Sequence, residues 1–123
     1  MLTDVDGHEA NERSILVVED EYLIAAELQR QLEQMGVRVL GPVPTVAAAL
    51  DLLATANQVD AAILDVNVHG ENVFPVADAV RERGLPLVFA TGYDQLALPD
   101  RYAGLPRCEK PVDVEQILRI LFD

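Results

Sequence analysis

Short apolar runs, each ending abruptly in a polar group, most constrain what this chain can become. ILVV at 15–18 runs into Glu19-Asp20-Glu21, AAIL at 61–64 into Asp65, and LVFA at 87–90 into Thr91. A fourth, less apolar stretch ends in Lys110-Pro111, and Lys110 is the only lysine beside eight arginines. Short apolar, β-branched runs without alternation read as strands buried on both faces, which is how parallel sheets look in sequence. Between the runs the apolar period lengthens. Leu23, Ile24, Leu28, Leu32 and Met35 follow the 3–4 spacing of an amphipathic helix across 21–35, and Gly36 stops it.

The same alternation continues. VRVLG at 37–41 predicts a strand, 45–56 a helix entered through Pro42 and Pro44, DAAILDV at 60–66 a strand, and the turn VHGEN leads to a helix near 73–83 with Pro75 in its first turn. LPLVFAT is strand four. Residues 93–104, with Pro99 and Gly104, have poor periodicity and predict a short, irregular or mobile helix. RCEK at 107–110 is strand five. The last helix starts at Asp113 with Gln116 in a capping-box-like position. Five strand–helix repeats imply an α/β fold: one five-stranded parallel sheet with helices on both faces. In such sheets ligands bind at the carboxyl edge of the strands, so every polar ending above should share one crevice.

Composition narrows the function. At 123 residues the chain is one domain, with residues 1–13 a polar tail and 14–123 the folded unit. A formal charge of −12 argues against nucleic-acid binding, and no apolar run approaches a membrane span. A lone cysteine, Cys108, and no signal peptide fit a cytoplasmic setting. There is no GxxxxGK[ST] loop, and the only serine, Ser14, opens strand one, which disfavours a nucleotide hydrolase and a serine triad. His8 and His69 have no zinc spacing, and His69 reads as an exposed loop residue.

Asp20 or Glu21 alone would read as a helix cap. With Asp65 at the same edge, Asp20 and Asp65 suit Mg²⁺, a hard cation that takes oxygen ligands. Asp65 can serve as a carboxylate nucleophile toward a phosphoryl group. The Thr91 hydroxyl and the compact Lys110 ammonium suit phosphoryl oxygens, with Gly92 leaving room for approach. Pro111 fixes the turn and is a candidate for a cis peptide bond.

ILVVEDE (15–21), ILDVNVHGE (63–71), FATGY (89–93) and EKPVD (109–113), in that order, resemble the receiver domain of two-component response regulators. The resemblance implies the flavodoxin-like, CheY-like (βα)5 sandwich with strand order 2-1-3-4-5. It implies Asp65 as phosphoacceptor, Asp20 as direct Mg²⁺ ligand, Glu19 acting through water, and the Asn67 backbone carbonyl completing the metal site. Thr91 and Lys110 become the switch hydroxyl and phosphate-contacting lysine. The donor implied is a phosphohistidine on a sensor histidine kinase or phosphotransfer protein, and catalysis is limited to self-catalysed phosphorylation and dephosphorylation.

Two departures stand out. Glu19 replaces the more usual aspartate. Arg107 occupies the strand-five position where most receivers carry an aromatic. FATGY, with Gly92 and Tyr93, resembles the mostly stand-alone FAT-GUY subgroup, although Asp94 takes the place of its final Tyr. The expectation is a single-domain phosphoacceptor, monomeric or weakly dimeric, whose residues 93–122 form the responsive surface. The alternative is an interaction module with a vestigial site. A phosphatase is disfavoured by Asn67, where such enzymes usually carry a second aspartate.

Overall fold

The computed structural model describes residues 12–92 and 98–123. The expected tail falls almost wholly on residues 1–11, which lie outside the described residues, as does Tyr93. The strands of the main sheet are β1 (Ser14–Val18), β2 (Arg38–Val43), β3 (Ala61–Asp65), β6 (Leu87–Thr91) and β7 (Arg107–Glu109). They lie in the order β2-β1-β3-β6-β7, every neighbouring pair parallel, which is the expected topology. All residues of β1, β3 and β6 are buried, so their unbroken apolar runs follow from burial on both faces.

Strand alternation sorts these side chains into two cores. Leu16, Val18, Ala62, Leu64 and Phe89 face α2 (Val46–Thr55) and α3 (Phe74–Glu82). Ile15, Val17, Ile63 and Val88 face α1 (Tyr22–Gln34) and α4 (Val114–Phe122). Leu32, fully buried on α1, shows the scale involved: burying one such side chain stabilises by about 1.5–3 kcal/mol. Helix starts are local. The Thr45 hydroxyl accepts from the Ala48 amide at 3.1 Å to begin α2, and Asp113 accepts from the Glu115 and Gln116 amides at 3.0 and 3.3 Å to begin α4.

The crossover from β6 to β7 carries, among the described residues, a 3-10 helix at Asp100–Tyr102, in keeping with the short, irregular helix expected over 93–104. Three details differ from the sequence expectation. VHGEN is not a plain turn: Asn67–Val68 (β4) and Glu71–Asn72 (β5) form a small antiparallel hairpin, with His69 at φ 50° at its tip. β2 runs past Gly41 to Val43. Neither Asp20 nor Glu21 caps α1; the Glu19 carboxylate takes the Glu21 amide instead, at 3.0 Å. Peptide bonds 41–42 and 110–111 are cis, the second as anticipated at Pro111. Among the described residues no helix is long and apolar enough to cross a membrane.

Candidate functional site

Parallel strands share one direction, so the ends of β1, β3, β6 and β7 open onto one edge, and the sequence-predicted residues meet there. Glu19 and Asp20 follow β1, Asp65 ends β3, Thr91 ends β6 and Lys110 follows β7. Carboxylate oxygens of Glu19, Asp20 and Asp65 all lie within 4.8 Å of one another. The Lys110 ammonium bridges two of them, at 2.8 Å from Glu19 Oε1 and 3.0 Å from Asp65 Oδ2. Lys110 is itself placed by backbone pairing, its amide donating to the Thr91 carbonyl at 2.8 Å.

These charges are largely withdrawn from water. Glu19 and Asp65 are buried, and the Lys110 side chain is 14 % exposed. Burial pushes the Glu19 carboxyl above its ordinary pKa, aided by the like charge of Asp65, against the opposing bonds from Lys110 and the Glu21 amide. For Lys110 burial acts downward, but the bonds to Glu19 and Asp65 outweigh it and the pKa lies above the ordinary lysine value. Lys110 is therefore a firmly charged ammonium.

Thr91 is buried, and its hydroxyl donates to the Cys108 carbonyl on β7 at 3.5 Å. Its neighbour Ala90 is the register partner of Asp65. Gly92 lines a cleft of about 490 Å³ with Glu21, Ile24, Glu109 and Lys110, and a Cβ at Gly92 would meet nothing within 4 Å. Asn67, itself exposed, lies two residues beyond Asp65 on the β4–β5 hairpin. Arg107 and Pro111 are exposed on β7 and the turn after it.

Sequence reasoning missed two features here. The His69 amide donates to Asp20 Oδ2 at 2.9 Å, tying the β4–β5 hairpin to the acidic turn. A backbone donor carries no side-chain signature, so nothing in the sequence announced it. Tyr102 is fully buried, stacked on Phe74 at 4.7 Å and edge-on to Phe89 at 5.9 Å, with its hydroxyl donating to Asp78. It lies in the stretch without periodicity.

The donor set fits a small hard dication. All three groups are carboxylates, the preferred ligands of Mg²⁺, and one ammonium leaves two of three negative charges unbalanced. A carboxylate at a strand end, flanked by an ammonium, a strand-end hydroxyl and further carboxylates, has chemistry compatible with a phosphoryl group beside a cation.

This fold and edge define a doubly wound α/β domain with its site at the carboxyl ends of the strands. The chain belongs to the response regulator receiver domain family, whose pattern matches residues 15–121. It is similar to the sensory transduction protein LytT of Bacillus subtilis (strain 168), 32 % identical over 111 residues that cover 87 % of this chain and 46 % of that protein. The chain thus spans about half the length of that curated relative. Among solved structures it resembles SdrG from Sphingomonas melonis Fr1, with 40 % identity, a TM-score of 0.80, and coverage of 92 % of this chain and 98 % of that one. The BeF3-activated conformation of SdrG from Pseudomonas melonis Fr1 is also 40 % identical, with a TM-score of 0.76 over 89 % of this chain and 96 % of that one.

Proposed function

We propose that this chain accepts a phosphoryl group on Asp65 from a phosphohistidine of a sensor histidine kinase or phosphotransfer protein. The observation that carries the reading is the Lys110 ammonium bridging Glu19 and Asp65 beside Asp20. In the transfer an Asp65 carboxylate oxygen forms the new P–O bond while the P–N bond to imidazole breaks, and the electron pair leaves with the imidazole nitrogen. Lys110, already against Asp65 Oδ2, offsets charge gathering on the phosphoryl oxygens. The Thr91 hydroxyl is the donor at the neighbouring strand end; turning it from the Cys108 carbonyl to the phosphoryl group supplies a switch.

Mg²⁺ is the fitting cofactor; Asp20 and Asp65 would hold it, with the Asn67 backbone carbonyl and with Glu19 acting through water, and it would neutralise phosphoryl charge. Catalysis would be confined to the chain's own phosphorylation and dephosphorylation. Resemblance to a protein solved in a BeF3-activated form supports a phosphorylation-responsive role. The FATGY run and exposed Arg107 support placement near the FAT-GUY receivers, with residues 93–122 as the surface that changes partner affinity.

Intact mass after incubation with Mg²⁺ and a small acyl-phosphate donor tests this reading. One added phosphoryl group is expected, absent from Asp65→Asn and from a magnesium-free control. Labelling that persists in Asp65→Asn would reject the acceptor. No labelling by this donor or by a phosphohistidine donor would favour an interaction module with a vestigial site.

A further inference from the structure

The pairing of β1 with β2 contains an irregularity next to the acidic turn. From Leu16↔Leu40 to Val18↔Val43, β1 advances two residues while β2 advances three. One extra residue is therefore accommodated in β2, a bulge in parallel pairing. Regular pairing would set Val18 opposite Pro42, which has no N–H to give to the ladder. The bulge instead brings Val43 alongside Val18, and the Val43 carbonyl accepts the Glu19 amide at 3.0 Å.

Gly41 makes this geometry available. Its φ is +97°, and a Cβ there would stand 2.7 Å from the Val43 nitrogen and 3.1 Å from the Val17 carbonyl oxygen. Both are backbone atoms, so relief requires moving the bulge or β1 itself, and the conformation is one that L side chains rarely adopt. The result reaches the site in one step. Glu19 is fastened by its amide to Val43, by Oε2 to the Glu21 amide, and by Oε1 to Lys110 at 2.8 Å. Asp20, the next residue, hangs from the same backbone.

We propose that Gly41 is a positioning residue for the acidic pair: the β2 bulge it permits sets the backbone of Glu19 and so where Glu19 and Asp20 present their carboxylates. This rests on the proposed Mg²⁺-dependent function, and it assigns a role in that site to a strand that contributes no side chain to it.

The test compares wild type, Gly41→Ala, Glu19→Gln and their double variant by calorimetric Mg²⁺ titration, with Leu53→Ala, near the C-terminal end of α2, as a control that opens a cavity in the core. Gly41→Ala should weaken Mg²⁺ binding about tenfold, the lower end of what losing an outer-shell partner costs a metal site. Leu53→Ala should lower the melting temperature and leave the dissociation constant unchanged. In the Glu19→Gln background the added Gly41→Ala should cost less than it does in wild type, because part of its effect runs through the Glu19 carboxylate and only the part through Asp20 remains. An unchanged constant in Gly41→Ala, an equal shift in Leu53→Ala, or full additivity overturns the proposal. Amide hydrogen exchange without metal gives a second readout: Glu19 should exchange faster in Gly41→Ala, and equal protection also overturns it. If wild type binds no Mg²⁺, the functional reading fails and this exchange still decides the positioning role. Should Gly41→Ala not fold, Gly41→Asn carries the same tests, since Asn tolerates positive φ yet still presses a Cβ on Val43.

Discussion

Replacing Asp20 with Asn should stabilise the metal-free protein and destabilise the metal-loaded one relative to wild type. Asp20 has Glu19 and Asp65 carboxylate oxygens within 4.8 Å, and Lys110 pairs with those two but not with it. One carboxylate pair at 4.8 Å repels by about 3.5 kcal/mol at an effective dielectric near 20. The ammonium offsets roughly one of the two neighbours, and solvent around the half-buried Asp20 screens the rest, leaving about 1 kcal/mol to be gained on neutralisation. The Asn carbonyl oxygen can still accept the His69 amide, so that bond is not lost. For a domain of this size the gain corresponds to a rise of roughly 4 °C in melting temperature. Calorimetric melts in EDTA and in excess Mg²⁺ form the assay. Ligation at a hundred times the dissociation constant adds about 2.7 kcal/mol to wild type, so the order of the two proteins should reverse. An Asp20→Asn protein that melts lower in EDTA, or keeps its lead in Mg²⁺, would refute the electrostatic reasoning.

Two further outcomes follow from particular contacts. Tyr102→Phe keeps the ring contacts and removes the bond to Asp78, and urea unfolding at neutral pH should show a loss of about 1 kcal/mol, modest because Asp78 is partly in solvent. That tyrosine hydroxyl holds the Asp78 carboxyl below its ordinary pKa, so the stabilisation exists above the ordinary carboxylate range and fades as pH falls through Asp78's lowered value; the gap between the proteins should narrow in acid, and a constant gap would argue against this pair. Lys110→Arg keeps the charge but replaces a point donor bridging Glu19 and Asp65 with a planar fork, so phosphoryl labelling should slow by on the order of tenfold or more, and wild-type rates would contradict that role.

What could be read from the sequence was whatever repeats with a period or ends a run. The buried strands and the amphipathic α1 announce themselves because burial on two faces, or on one helical stripe, demands apolar residues at fixed intervals. Asp65 and Lys110 were legible because each interrupts or closes such a run. The β4–β5 hairpin was not, since two-residue strands are too short to show alternation. The sequence pattern ends β2 at Gly41, since glycine and proline normally punctuate strands; here they occupy the bulge, and the strand continues to Val43. The resemblance named strand five as the aromatic position and found Arg107 there. Two buried aromatics lie near that position instead: Phe89, the register partner of Arg107 on β6, and Tyr102 from the preceding turn, whose ring meets Phe89 and Phe74, 13 and 28 residues away in sequence.

The arrangement around Lys110 has a spectroscopic consequence. Because the chain has one lysine and that lysine lies between Glu19 and Asp65, lysine-selective isotope labelling yields a single side-chain signal located at the proposed phosphoacceptor. Most proteins of this size crowd such a spectrum with surface amines; here it is free of background. The ammonium is hydrogen-bonded and mostly shielded from water, which slows exchange of its protons with solvent. One resonance can then test, in an unmutated chain and in real time, whether the carboxylate beside it acquires and loses a phosphoryl group.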